Sequence, residues 1–202
     1  NNGFTDARDG NHYNAVKIGD QIWMAENLAY KPSSGNYWAY DDDDTNVATY
    51  GYLYDWNTAM NGAGSSATNP SNVQGICPEG WHLPSDAEWQ QLEMYLGMES
   101  GQANSTGWRG TVEGGKLKEA GDDHWQSPNT GANNESGFTA LPGGYYNYGD
   151  FDSIGYYGYW WSATEYDTSN AWLRSLSFDY SLVNRLFDTK SLGFSVRCVK
   201  NN

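Results

Sequence analysis

The segment 158–200 constrains the fold more than any other part of the chain, because two kinds of residue alternate along it. In the run AWLRSLSF (171–178), large framework-type residues alternate with residues that no packing rule requires. A period of two is typical of a β-strand, in which successive side chains point to opposite faces. We predict three antiparallel strands, over residues 160–164, 171–178 and 193–199.

The alternation divides the segment into a framework and a contact set. The framework is expected to be rigid: Trp160, Trp161, Trp172, Arg174, Leu176, Phe178, Phe194, Val196 and Cys198. Six of these are expected not to contact a ligand: Trp160, Trp161, Trp172, Arg174, Phe194 and Cys198. The interleaved set is predicted to form a ligand-binding face: Leu173, Ser175, Ser177, Tyr180, Leu182, Leu186, Phe187, Thr189 and Leu192. For the apolar members from Leu182 onward, packing at the edge of the core is the alternative.

Residues 145–159 form a second candidate contact region, which we predict to be a loop. Five rings lie there among Gly, Asp and Ser: Tyr146, Tyr148, Phe151, Tyr156 and Tyr157. Tyrosine offers a large contact area at low entropic cost, and Ser and Gly let a surface adapt to a partner. The alternative is that these rings pack the loop onto the rest of the protein.

Two earlier elements are well specified. Residues 15–24 contain two short apolar runs around Gly-Asp and predict a β-hairpin. Ser85 and Glu88 form a capping box that begins a helix. The apolar face of this helix is predicted to contain Trp89, Leu92, Tyr95 and Leu96, with Gly97 at its end. No linker divides the chain, so we expect one α+β domain over residues 1–202.

The net charge of −14 argues against nucleic acid and anionic membrane surfaces as partners. No apolar run is long enough for a transmembrane helix. The two cysteines, Cys77 and Cys198, lack the CxxC spacing of a zinc or redox site. They are either two buried thiols or one long-range disulfide. We favour the disulfide, because an acidic chain rich in Tyr, Asn and Gly and poor in Lys is typical of extracytoplasmic proteins.

No set of residues indicates catalysis, and we predict that the chain is not an enzyme. The three histidines lie far apart in sequence, and His82 is expected to have a structural hydrogen-bonding role. The acidic run from Asp41 to Asp44 lacks EF-hand spacing and is predicted to be a solvated turn. We predict no cofactor and no assigned metal ligand, and leave a structural calcium ion open.

Seven motifs, in this order, resemble the Fibrobacter succinogenes major paralogous domain family: FTDARDG (4–10), VKIGDQIWMAENL (16–28), GYLYDW (51–56), CPEGWHLP (77–84), ALPGG (140–144), YWWSAT (159–164) and GFSVRC (193–198). The resemblance implies a C-type-lectin-like fold related to that of formylglycine-generating enzymes. It also implies a disulfide between Cys77 and Cys198, and a secreted or lipid-anchored surface protein of Bacteroidetes or Fibrobacter relatives.

The C-terminal segment is also similar to the variable proteins of diversity-generating retroelements. In those proteins a C-type-lectin-like scaffold ends in a segment whose Asn-type codons are rewritten into many residues. The framework letters WWSATE, AW and GFSVRC match such a segment, and the contact set occupies the intervening positions.

We therefore expect an extracellular ligand-binding module, lectin-like or adhesin-like, that contacts a protein or glycan on another cell or host surface. One alternative is an oxidoreductase of the formylglycine-generating type, which needs a pair of free cysteines. The other alternative is a structural component of a surface coat or fibre, which would self-associate.

Overall fold

The computed structural model describes residues 3–201, in which short strands, five short helices and long connections make a mixed α/β fold. The strands are β1 (Phe4–Thr5), β2 (His12–Tyr13), β3 (Ala15–Ile18), β4 (Gln21–Met24), β5 (Tyr37–Trp38), β6 (Leu53–Tyr54), β7 (Trp81–His82), β8 (Gly107–Arg109), β9 (Gly143–Asn147), β10 (Asp150–Ile154), β11 (Tyr157–Glu165), β12 (Asn170–Ser177), β13 (Val183–Thr189), β14 (Phe194–Ser195) and β15 (Val199–Lys200). The helices are α1 (Val47–Tyr50), α2 (Trp56–Met60), α3 (Asp86–Tyr95), α4 (Ser100–Ala103) and α5 (Glu113–Leu117). The predicted α+β class, with few helices and many loops, is confirmed.

The largest sheet has seven strands in the order β5-β6-β14-β11-β12-β13-β8. A four-stranded sheet, β3-β4-β15-β7, contains the predicted hairpin of β3 and β4. Gly19 turns this hairpin with a φ of +62°, a conformation that glycine adopts without steric cost. Strand β14 of the large sheet and strand β15 of the four-stranded sheet are only a few residues apart in the chain, so a short connection joins the two sheets.

The predicted third strand over residues 193–199 is wrong. The antiparallel partner of β12 is instead β13, which pairs Leu173 with Leu186 and Arg174 with Arg185. Residues 193–199 are divided between two sheets: β14 runs parallel to β11, and β15 pairs with β4 and β7. The alternation in β13 was obscured because both of its faces contain a mixture of polar and apolar side chains.

The tyrosine-rich region 145–159 is not a loop but mainly a hairpin. Strands β9 and β10 pair antiparallel, with Tyr146 opposite Phe151 and Asn147 opposite Asp150. The turn between them contains Tyr148 at φ +47° and Gly149 at φ +106°. Tyrosine has a strong strand preference, and this preference prevails over the many turn-forming residues between the rings.

Helix α3 begins as predicted. The Ser85 hydroxyl accepts a hydrogen bond from the Glu88 amide at 3.2 Å, and the Glu88 carboxylate accepts one from the Ser85 amide at 2.9 Å. Trp89, Leu92 and Leu96 are buried in the core. Tyr95 is 65% exposed, so its assignment to the apolar face is corrected.

A buried network of charges joins α3 to the large sheet. Arg174 on β12 donates to Glu93 at 2.5 Å and to Asp86 at 2.7 Å, and Arg185 on β13 donates to Asp86 at 2.8 Å. Arg109 on β8 completes the network by donating to Glu93 at 2.7 Å. Unpaired charges at such depth would be very costly, so these pairs fix the position of α3 on the sheet.

Cys77 and Cys198 form a disulfide with an S–S distance of 2.06 Å, which confirms the pairing implied by the family resemblance. The bond closes a loop between residues 121 positions apart and lies in the core. Stable structural disulfides occur in oxidising compartments, so the bond indicates a non-cytoplasmic protein. None of the helices within residues 3–201 is both long and apolar enough to cross a membrane.

Candidate functional site

Four residues of the predicted contact set are buried: Leu173, Ser175, Ser177 and Leu192. The burial of Leu173, Ser175 and Ser177 removes them from an exposed binding face, which corrects their assignment, whereas Leu192 lines a concavity described below. Strand β12 lies between β11 and β13, and Trp161 and Leu186 on these neighbours lie beside Leu173. Ser175 and Ser177 lie opposite Tyr159 and Tyr157 of β11, and these large rings leave the small hydroxyls no exposure.

The other predicted residues have some exposure, but they do not form a single surface. Tyr148 is 77% exposed, and Tyr156, Tyr180 and Phe187 are also exposed; Tyr146, Phe151, Tyr157, Leu182, Leu186 and Thr189 are half-buried. Tyr146 stacks on Trp38 at 3.9 Å between ring centroids, and Phe151 packs on Tyr40 at 5.3 Å. Tyr146 and Phe151 therefore pack this region onto the rest of the protein, as the alternative interpretation predicts.

One surface does combine the tyrosine hairpin with the C-terminal segment. It is a concavity of about 310 Å³, which we name the tyrosine concavity. Its lining consists of Tyr145, Asn147, Tyr148, Tyr159, Leu186, Asp188, Thr189, Leu192 and Phe194. Three predicted contact residues that have exposure, Tyr148, Leu186 and Thr189, meet here, and the buried Leu192 forms part of the floor.

The floor and walls of the tyrosine concavity are rigid aromatic packing. Tyr159 of β11 stacks on Phe194 of β14 with centroids 5.2 Å apart and an interplanar angle of 21°. Tyr145 of β9 meets Tyr159 edge to face at 5.4 Å and 73°. Because Phe194 is buried and both strands belong to the large sheet, these walls are held by the core itself.

The rim of the concavity carries polar groups. The Tyr148 hydroxyl lies 2.9 Å from the Ser191 hydroxyl, which connects the hairpin turn to the segment after β13. The Asp188 carboxylate accepts a hydrogen bond from the Thr189 amide at 2.7 Å. Within residues 3–201, no Lys, Arg or His forms an ion pair with Asp188.

The electrostatic environment of the walls is negative. Burial raises the pKa of Tyr145, and the nearby charges of Asp152 and Asp188 raise it further. The pKa of Tyr159 is raised in the same way, first by burial and then by the neighbouring tyrosines and the same two carboxylates. Both phenols therefore remain neutral and keep their hydroxyl protons at physiological pH.

A separate aromatic cluster lies on the opposite face of the large sheet. Phe187 is 40% exposed and stacks on Tyr166 with centroids 3.7 Å apart, and both rings meet Trp172 edge to face. The Arg185 guanidinium lies 3.7 Å from the centre of the Trp172 ring. Trp172 is half-exposed, so this framework residue is not confined to the core.

A larger cavity, of about 580 Å³, lies elsewhere and is lined mainly by small polar side chains and loop backbone. Its one basic residue, Arg8, is bound by Asp6 at 2.6 Å and lies over the Tyr30 ring at 3.7 Å. The guanidinium is thus already paired. This cavity contains none of the residues singled out from the sequence, and we regard the smaller tyrosine concavity as the better candidate.

Residues 3–201 contain no cluster of three or more His, Cys, Asp or Glu side chains placed to hold a metal ion. The run from Asp41 to Asp44 is exposed, as predicted for a solvated turn. The buried His82 bonds Glu88 and Asn201, both at 2.7 Å, in a structural role.

Sequence reasoning missed several residues of the concavity. Tyr145, Asn147, Tyr159 and Asp188 are not in the predicted contact set, and Phe194, predicted as buried framework that avoids a ligand, is buried but also lines the concavity. Tyr159 immediately precedes the two framework tryptophans, so its alternation with Trp160 could have placed it on the opposite face. Asp188 had no signal of its own, because β13 was not recognised as a strand.

The comparisons with known proteins support a family but no activity. The model of the Fibrobacter succinogenes major domain matches residues 16–200. No curated protein and no solved structure matches the chain significantly. The match includes the hairpin of β3 and β4, helix α3 and all strands that line the concavity. The chain therefore belongs to the Fibrobacter succinogenes major domain family.

Proposed function

We propose that the chain is an extracellular ligand-binding module with a C-type-lectin-like fold, displayed at a bacterial cell surface. Its tyrosine concavity would contact a protein or glycan on another cell or host surface. One observation carries the proposal: Tyr148 of the hairpin and Leu186 and Thr189 of β13, selected from sequence as contact residues, line one concavity with a rigid floor.

The chemistry of the concavity suits recognition rather than catalysis. Binding sites typically combine apolar and aromatic walls with a few placed polar groups. Here the rings of Tyr145 and Tyr159 supply the walls, while Asn147, Asp188 and Thr189 supply hydrogen-bonding groups at the rim. A scaffold closed by a core disulfide also keeps such a site preorganised, which reduces the entropic cost of binding.

The two alternatives differ in what they require. The formylglycine-generating alternative needs a free thiol pair, and both cysteines of the chain are joined to each other. The fibre alternative predicts self-association. Sedimentation of the purified protein over a concentration series separates it from the binding module, because a soluble binder would keep its mass while a fibre component would not.

The binding test is an array of glycans and surface proteins probed with the wild type and with the double variant Tyr148→Ala/Leu186→Ala. We expect the variant to lose at least about tenfold in affinity, equivalent to about 1.4 kcal/mol. The matched control is Tyr95→Ala, which removes an exposed tyrosine on α3, outside the concavity. Equal binding by all three proteins would place the site elsewhere.

We propose further that exposed positions of β13 are the ones diversified, if a retroelement acts on this gene. Leu186, Phe187 and Thr189 support this, since each is at least partly exposed, whereas the burial of Ser175 and Ser177 weighs against variation there. A reverse transcriptase and a near-identical template repeat beside the gene would support the proposal. Their absence from the gene neighbourhood would remove it. Anchoring by a lipid outside the given sequence is compatible with this display.

A further inference from the structure

The tyrosine concavity has an uneven composition that points to one class of ligand. Among the residues described, its lining contains one carboxylate, Asp188, and no basic side chain. Four of its members are aromatic: Tyr145, Tyr148, Tyr159 and Phe194. The nearest lysine along the chain, Lys190, is engaged by Glu165 at 2.8 Å. Nothing in the lining would therefore repel a cation, and one group would attract it.

The arrangement of the rings suits a cation as well. The planes of Tyr145 and Tyr159 meet at 73°, so two π-systems form a corner rather than a flat platform. An aromatic face attracts a cation placed within about 6 Å of its centre, and cages of several aromatic rings recognise quaternary ammonium groups. A flat sugar ring would instead be favoured by a single broad ring face.

Asp188 is available to complete such a site. Its carboxylate accepts one hydrogen bond from the adjacent Thr189 amide and is half-buried. Asp188 belongs to β13 and lies opposite Ala171 of β12, which carries no charge. By contrast, the carboxylates on the other face of the sheet, Asp86 and Glu93, are fully engaged by arginines. The volume of about 310 Å³ is at the small end of the range for ligand pockets, which suits a compact group.

We propose that the tyrosine concavity selects an organic ammonium group, which Tyr145 and Tyr159 hold by cation–π contact and Asp188 holds by charge. This inference rests on the proposed function, because it names the chemistry recognised by the same site. Such a group can come from the lysine side chain of a partner protein or from a choline-type head group. Both share the cation, and they differ in what is attached to it.

The test compares choline with its neutral carbon analogue, 3,3-dimethylbutan-1-ol, which has the same shape and lacks the charge. Binding is followed by NMR titration of the aromatic signals of Tyr145 and Tyr159 at constant ionic strength. We expect choline to bind at least about tenfold more tightly than the neutral analogue. Nα-acetyl-lysine methylamide is titrated in parallel, and the tighter of the two cations identifies the source of the group.

The variant Asp188→Asn should weaken choline binding at least about fivefold and leave the weak binding of the neutral analogue unchanged. Asp122→Asn is the matched control, because it removes an equal charge at an exposed position outside the lining. Equal affinities of the wild type for choline and the neutral analogue would overturn the inference. It would also be overturned if neither cation shifted the two tyrosine signals.

These outcomes are distinguishable from a failure of the proposed function. If Tyr148→Ala/Leu186→Ala abolishes binding on the array while choline and its analogue bind equally, the concavity is a binding site with a different preference. If that double variant binds the array as the wild type does, the concavity is not the site, and ammonium selectivity measured on it would have no functional meaning.

Discussion

The two faces of β12 and β13 differ in how their polar groups are satisfied. On the face toward α3, Arg174 and Arg185 are paired with carboxylates of the helix. On the open face, β13 presents Leu186 and Asp188 beside the tyrosines of β9 and β11, and Asp188 bonds only its neighbouring amide. On one face of this pair of strands the charged groups are paired within the protein, whereas on the other face a carboxylate and aromatic rings can contact a partner.

This difference shows why the available face can vary while the fold is kept. A residue that belongs to a buried ion network cannot change without leaving its partner unpaired. A residue at the rim of a concavity loses little when it changes, since water replaces its contacts. The helix-facing side should therefore govern stability and the open side should govern binding.

The largest effect is expected from Arg174→Ala, which leaves Glu93 buried without one of its two arginine partners. Removing one member of a buried pair costs about 3–5 kcal/mol, so the free energy of unfolding should fall by that amount. Chemical denaturation measures it. The control is Lys190→Met, which breaks the partly exposed pair with Glu165 and should cost less than about 1 kcal/mol. Similar losses in both variants would contradict the distinction between the faces.

The disulfide supports both faces, because Cys77 precedes α3 and Cys198 follows β14. A native disulfide typically contributes about 2–4 kcal/mol to stability. We expect the double variant Cys77→Ala/Cys198→Ala to unfold at a correspondingly lower denaturant concentration, with ligand affinity unchanged while the protein stays folded. A variant that folds fully but no longer binds would show that the bond positions the concavity directly.

Acid should weaken the helix-facing side. Burial acts to raise the pKa of Asp86, but the charges and hydrogen bonds of Arg174 and Arg185 outweigh it and leave that pKa below the ordinary 3.8. A carboxylate with a lowered folded-state pKa stabilises the protein above 3.8, and this contribution is lost as the pH falls through the folded-state value. Denaturation of the wild type and Asp86→Asn over a pH series measures it. The variant should show the smaller acid loss, and parallel curves would contradict this.

The smallest effect on stability is expected for Tyr148→Ala. Its ring is 77% exposed and its hydroxyl bonds one surface serine, so the free energy of unfolding should change by no more than about 0.5 kcal/mol. Thermal and chemical denaturation check this, with Tyr95→Ala, at an exposed position on α3, as the control. A loss of several kcal/mol would mean that the rim belongs to the core, and the contrast between the faces would no longer hold.

Local signals in the sequence were sufficient where residues close in sequence determine the structure. The capping box of Ser85 and Glu88 and the Gly19 turn of the first hairpin were predicted, because each depends on hydrogen bonds or backbone angles within a few residues. The disulfide between Cys77 and Cys198 followed from the family resemblance rather than from the spacing of the cysteines. The alternation of β12 also assigned its two faces correctly, with Trp172 and Arg174 on one face and Leu173 and Ser175 on the other.

The sequence alone thus determined which residues of β12 share a face, because side-chain direction in a regular strand follows the period of two. Only the tertiary structure decided which of those faces is covered. Leu173 and Ser175 follow the alternation that exposed residues would also follow, yet both are buried. Side chains on the neighbouring strands β11 and β13 cover them, with Tyr159 opposite Ser175. Asp188 joins Tyr145 and Tyr159 in one concavity for the same reason: strand order, which depends on contacts between distant residues, brings β9, β11 and β13 together.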